Sequence, residues 1–153
     1  MSSTPPVGAV AKAATGLEYC RVLAVDDHDA FRRIVRAIVE DPATVFDCAG
    51  EAASGEDAVA LAPLLLPDLI LMDVRMPGMS GVEAARRIRE LLPSVVIVLI
   101  SVDGADALGA PPSACGADAI IAKHALTPSS LSTLWRRHGP DTHNGQPLSP
   151  DGA

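Results

Sequence analysis

The chain has 153 residues, 48% hydrophobic and 20% charged, with a formal net charge of −7. That composition excludes wholesale disorder, the excess of acidic over basic side chains argues against direct nucleic-acid binding, and no apolar run approaches bilayer length. Three cysteines without C-x-x-C spacing support neither a disulfide framework nor a zinc site, and read as small buried hydrophobes in a reducing cytoplasm.

Residues 1–16, rich in Ser, Thr, Pro, Gly and Ala, lack a basic stretch followed by an apolar core and read as a disordered tail rather than a secretory signal. Arg21 to Val25 is then expected as a strand. Asp29 to Glu40 places Phe31, Ile34, Val35, Ile38 and Val39 at helical spacing. Val45 to Ala49 is a second strand. Ser54 is placed to cap a helix running toward Leu65, with Pro63 expected to kink or shorten it. Leu69 to Met72 is an all-apolar strand, and Ser80 to Leu92 a helix with Val82, Ala85, Ile88 and Leu92 on one face. Val95 to Ile100 is the strongest strand and Ala119 to Ala122 the last. Thr127 caps a final helix with Pro128 at its first position, running to about His138 and ended by Gly139. Residues 139–153 form a second disordered tail or linker, leaving one domain over 17–138.

Strand and helix thus alternate five times. Continuously apolar strands are buried on both faces, as in parallel sheets, and right-handed crossovers make the fold an α/β doubly wound sheet. The site of such a fold lies beyond the carboxyl ends of the strands. Asp26 and Asp27 follow the first strand, Asp73 the third, Ser101 the fourth and Lys123 the fifth. Singly, an Asp here is commonly a helix cap, and Asp27 or Asp29 is placed to be one. Together, three converging carboxylates repel one another unless a cation sits among them. Oxygen ligands at this density favour a hard divalent ion such as Mg²⁺ or Mn²⁺, which recruits a phosphoryl group as a further oxygen ligand. Lys123 adds a positive charge for those oxygens and Ser101 a hydrogen-bond donor. His28, His138 and His143 suggest no cluster, and a metal role for His124 is not expected.

The run Asp73-Val74-Arg75-Met76-Pro77-Gly78-Met79-Ser80-Gly81 resembles the phosphorylation loop of two-component response regulator receiver domains, the CheY-like superfamily. Val25-Asp26-Asp27 resembles the family's acidic pair, and Gly116-Ala117-Asp118 leading to Lys123 also fits. The resemblance implies a five-stranded sheet in the flavodoxin-like order 2-1-3-4-5, layered α/β/α. It implies Asp73 as the phosphoacceptor, with Asp26, Asp27, Asp73 and the Arg75 backbone carbonyl holding Mg²⁺, Lys123 pairing with a phosphoryl oxygen and Ser101 swinging in to bond another. The donor would be a sensor histidine kinase, a phosphotransfer protein or acetyl phosphate. The chain would catalyse only its own phosphorylation and dephosphorylation, and phosphorylation would switch its contacts with a downstream protein. It would work as a monomer or weak homodimer, without nucleic acid or membrane.

Three positions depart from the family pattern. Ile120 stands where many receivers carry a switching Tyr or Phe. Residues 102–115, which should hold the fourth helix, contain Gly104, Gly109, Pro111 and Pro112, so at most a short helix around Ala105 to Ala110 is expected, with an altered output face. His124 replaces the Pro that often follows the lysine. Arg75 and Asp103, two residues past Asp73 and Ser101, are placed to form a salt bridge over the phosphoryl site, and Val102 to narrow access for donors. Other readings are a degenerate receiver acting by contact alone, or the receiver part of a longer helix-turn-helix DNA-binding regulator, although no output domain is expected after His138. A phosphohydrolase with an Asp nucleophile fits poorly, because such enzymes need a second acid where Arg75 stands.

Overall fold

The structure, a computed structural model, describes residues 19–140. The two expected tails lie outside these residues, apart from Gly139 and Pro140. Five strands, β1 (Cys20–Val25), β2 (Phe46–Ala52), β3 (Leu69–Asp73), β4 (Val96–Ser101) and β5 (Ala119–Ala122), form one parallel sheet in the order 2-1-3-4-5. Four helices cover it: α1 (Asp29–Glu40), α2 (Gly55–Leu65), α3 (Gly81–Leu91) and α4 (Pro128–His138).

Successive side chains of a strand point to opposite faces, and here both faces are apolar. Leu23, Val25, Ile70, Met72, Ile97 and Leu99 pack toward Ala58, Ala62, Ala84, Ala85 and Ile88 of α2 and α3. Val22, Ala24, Leu69, Leu71, Val98 and Ile100 pack toward Val35, Ile38 and Val39 of α1 and Leu131 of α4. Every residue of β3 and β4 is buried. The two central strands therefore carry the uninterrupted apolar runs seen in the sequence.

Edge strands are less legible. β2 starts one residue later than expected and runs on to Ala52, beyond the expected end at Ala49. Its middle is only half-buried, so Gly50 and Glu51 need not be apolar. A bulge lies between Val22↔Cys48 and Leu23↔Gly50, leaving Ala49 unpaired. The helix after it keeps Pro63 in its last turn and reaches Leu65; Leu66 turns left-handed, with φ 50°, and its N–H donates to the Ala62 carbonyl at 2.8 Å.

The expected five-fold alternation is incomplete, because no α-helix joins β4 to β5. Two single turns of 3₁₀-helix, Gly104–Ala107 and Pro112–Cys115, stand there instead. Gly104 takes a positive φ of 63°, which stops the chain from winding directly out of β4. Pro111 is extended and Pro112 opens the second turn, so the prolines act as breakers. By contrast α4 is strongly specified: Thr127 and Ser130 form a reciprocal capping box that spans Pro128 at the first helical position.

Candidate functional site

Strand register converges the candidate side chains. Val25 pairs with Met72, so Asp26 and Asp73 lie one step further along adjacent strands. Asp73 pairs with Ile100, one residue before Ser101, and Ser101 pairs with Ala122, one residue before Lys123. Asp26, Asp73 and Ser101 are all buried, among a core otherwise almost wholly apolar.

Lys123 binds the crevice together. Its Nζ is 2.8 Å from Asp26 Oδ2, 3.8 Å from Asp73 Oδ2, and 4.6 Å from the centre of the Phe31 ring on α1. A single ammonium does not neutralise three carboxylates. Asp26 Oδ2 and Asp27 Oδ1 are buried without a hydrogen bond of good geometry, Asp26 Oδ2 meeting the ammonium only as an ion pair. The Asp73 carboxyl is pushed above its ordinary value, first by burial and then by Asp26; Lys123 and the Arg75 N–H pull the other way, and Asp27 adds a smaller push upward. Such orphaned oxygens and a raised carboxyl are the marks of a site that fits a hard divalent cation.

The expectation that Asp27 or Asp29 caps α1 is not met. His28 occupies the cap position without a side-chain capping bond, and Asp29 lies inside the first turn. Asp26 Oδ1 instead accepts the His28 backbone N–H at 2.8 Å. The histidine reading also needs correction: His28 Nδ1 stands 3.1 Å from Asp26 Oδ1 and 3.4 Å from Asp27 Oδ1. One ligand atom each from Asp26, Asp27, His28 and Asp73 all lie within 4.8 Å of one another. A residue directly after an acidic pair was the signal available. Arg32 was missed as well. Its guanidinium donates to the Asp26 carbonyl at 2.6 Å and to Glu51 Oε1 at 3.0 Å, and also contacts Asp29, so it pins the loop carrying the acidic pair.

The loop after β3 is held from several sides. The Arg75 N–H reaches Asp73 Oδ1 at 3.4 Å, Glu56 Oε2 accepts the Met79 N–H at 3.1 Å, and Ser80 caps α3 by accepting from the Glu83 N–H. Gly81 is required by close approach, since a Cβ there would stand 2.0 Å from the Asp73 carbonyl oxygen. Arg75 and Asp103 do meet, 3.7 Å apart, as an exposed pair beside the crevice. Val102 is 72% exposed, and the Asp103 N–H donates to Ser101 Oγ at 3.2 Å. Ile120 is half-buried against the core on the α2 and α3 face, and so is Leu108 from the segment that replaces the fourth helix. A separate groove of about 350 Å³, lined by Leu66, Leu91, Pro93 and Trp135, includes none of these residues.

Residues 22–134 match the family model described as the response regulator receiver domain. The chain is 36% identical over 113 residues to the response regulator UvrY of Escherichia coli K12, an alignment covering 74% of this chain and 51% of that protein; the chain thus spans about half the length of that relative. Among solved structures, the response regulator domain of Thermotoga maritima CheB superposes with a TM-score of 0.67 at 27% identity, over 84% of this chain and 99% of that one. A chain of the CheX–CheY–BeF₃–Mg²⁺ complex of Borrelia burgdorferi gives 0.65 at 26% identity, over 80% and 90%.

Proposed function

The chain belongs to the response regulator receiver domain family, and from that membership we propose that it accepts a phosphoryl group on Asp73 and signals by the change in contacts that follows. The observation that carries this reading is the buried Asp73 facing Lys123 within a crevice of uncompensated carboxylates. An Asp73 oxygen attacks phosphorus, the bond to the donor breaks, and the donor's leaving group departs with the bonding pair. In a phosphohistidine donor that bond is P–N, and the freed imidazole takes up a proton.

Asp26, Asp27 and Asp73, with the Arg75 carbonyl, would hold Mg²⁺, which when bound supplies positive charge for the phosphoryl oxygens. Mg²⁺ together with BeF₃ in the similar Borrelia CheX–CheY complex supports this choice. The protein's own groups do the rest. Lys123, flanked by Asp26 and the Phe31 ring, is already aimed at Asp73 and pairs with an oxygen of the new phosphoryl group. Ser101, whose Oγ accepts the Asp103 N–H, donates its own O–H to another. Arg32 keeps the acidic loop fixed while these changes occur.

The donor is a sensor histidine kinase, a phosphotransfer protein or acetyl phosphate, and the protein's catalysis is limited to its own phosphorylation and dephosphorylation. Output passes through a face that lacks the fourth helix and the usual aromatic at Ile120, so the downstream partner reads the region of β4, the two 3₁₀ turns and β5 differently from receivers that possess both. No described helix is long and apolar enough to cross a membrane, and we place the protein in the cytoplasm, where such kinases deliver their phosphoryl groups. Incubation with Mg²⁺ and acetyl phosphate tests the reading: the intact mass should rise by one phosphoryl group, and Asp73→Asn should abolish the gain. No gain in the wild type under saturating donor from either a small molecule or a phosphotransfer protein would favour a contact-only module.

A further inference from the structure

We infer that His28 supplies a nitrogen donor to the acidic crevice, so that the site takes borderline divalent cations such as Ni²⁺ or Co²⁺ through the imidazole as well as the hard Mg²⁺ that its carboxylates suit. The inference rests on the reading of Asp26, Asp27 and Asp73 as a cation site. Asp26 divides its two oxygens. Oδ2 faces the Lys123 ammonium, and Oδ1 faces His28, which approaches it with both the backbone N–H at 2.8 Å and Nδ1 at 3.1 Å. The same Nδ1 is 3.4 Å from Asp27 Oδ1, a buried oxygen without a hydrogen-bond partner of good geometry. A cation entering between the two aspartates beside Oδ1 therefore meets an imidazole nitrogen that already lies within 4.8 Å of every carboxylate in the group.

Apart from the Nδ1 contact with Asp26, His28 has no structural task for its side chain among the described residues. It sits at the cap position of α1 yet makes no side-chain capping bond, and its side chain is 69% exposed, so it belongs to neither core. An exposed imidazole can rotate by the small amount that exchange of a hydrogen bond for a metal bond requires, without unpacking anything. Mg²⁺ prefers oxygen and retains its waters, and gains little from imidazole, whereas Ni²⁺ and Co²⁺ bind imidazole well. A carboxylate site can bind Ni²⁺ without any imidazole, so the test is the dependence of Ni²⁺ affinity on His28 rather than Ni²⁺ binding itself.

Calorimetric titration of the full chain with Ni²⁺ and with Mg²⁺, for wild type, His28→Gln and His28→Ala, measures this directly. Gln keeps a hydrogen-bonding group toward Asp26 and guards against a purely local rearrangement in the Ala variant. The wild type should bind one Ni²⁺ whose apparent affinity falls as Mg²⁺ is raised; both variants should weaken Ni²⁺ by roughly tenfold or more and leave the Mg²⁺ affinity within about twofold. Unchanged Ni²⁺ affinity in both variants would overturn the inference and leave His28 as a hydrogen-bond donor to Asp26. Equal weakening of the two metals, or an apparent Ni²⁺ affinity that rising Mg²⁺ leaves unshifted, would overturn it too. Absence of Mg²⁺ binding to the wild type would instead sink the cation-site reading, and this inference with it.

Discussion

Replacing Asp73 by Asn should make the metal-free protein more stable, not less. Asp73 shares a group of ligand atoms with Asp26 and Asp27 that all lie within 4.8 Å of one another. At an effective dielectric of about 20, two unit charges at that outer limit repel by about 3.5 kcal/mol, and the Lys123 ammonium at 3.8 Å returns about 4.4 kcal/mol. Two repulsions against one attraction leave roughly 2–3 kcal/mol of net strain on the ionised Asp73, within the roughly 1–4 kcal/mol gained when buried charges are replaced by neutral groups of similar shape. For a domain of this size that gain raises Tm by on the order of 10 °C. The pH dependence has a definite sign. The folded protein holds the Asp73 proton more tightly than the unfolded chain, whose carboxyl titrates near the ordinary value of 3.8. The penalty is therefore absent below that pH, grows as pH rises through it, and is complete above the raised folded value. Thermal unfolding in chelator-treated buffer, at neutral pH and again near pH 3, measures it. Added Mg²⁺ should narrow the gap by stabilising the wild type more than the variant. An Asn variant that is equally or less stable at neutral pH without metal would refute the electrostatic account of the crevice.

Three further outcomes are expected. Phe31→Leu removes the ring beside the Lys123 ammonium and should slow phosphorylation by acetyl phosphate by about 2- to 30-fold, with Phe31→Tyr near the wild-type rate; an unchanged rate in the Leu variant would remove Phe31 from the site. Arg75→Ala opens the exposed Arg75–Asp103 pair and should speed autodephosphorylation by roughly 1.4- to 5-fold, the range of a surface ion pair, whereas no change would leave the pair as two solvated charges. Amide hydrogen exchange should show weak protection across residues 105–114, where the described backbone bonds are isolated turns such as Leu108 N–H to the Ala105 carbonyl at 3.3 Å; protection comparable to β4 would contradict the absence of a stable helix there.

The sequence made some of this structure plain and hid the rest for physical reasons. Central strands are buried on both sides, so Leu69 to Met72 and Val96 to Ile100 announce themselves by composition alone, and the polar residue ending each run marks the crevice. The edge strand β2 needs burial at its ends only, and its bulge at Ala49 leaves no apolar signature, so its extent is not legible in the sequence. Prolines and glycines between Ser101 and Ala119 pointed to at most a short helix around Ala105 to Ala110, because each removes a donor or a conformational preference locally; the segment goes further and keeps only two 3₁₀ turns. His28 follows the acidic pair directly, yet a histidine in a loop carries no periodic signal of its own, whereas the parts of Arg32 and Phe31 in the site depend on partners distant in sequence. Arg32 reaches Glu51 on β2, and the Phe31 ring lies beside an ammonium contributed from the end of β5. Periodicity reads Phe31 only as part of an apolar helix face. The Arg75–Asp103 contact was legible from spacing, since both residues lie two past the ends of adjacent strands.

The central claim is that Asp73, rather than another carboxylate of the crevice, carries the phosphoryl group. Borohydride reduction of the protein treated with Mg²⁺ and acetyl phosphate converts an aspartyl phosphate to homoserine, which peptide mass mapping then locates. The account predicts homoserine at position 73, appearing only when both donor and Mg²⁺ are present. Homoserine at position 26 or 27, or label that persists in Asp73→Asn, would contradict it.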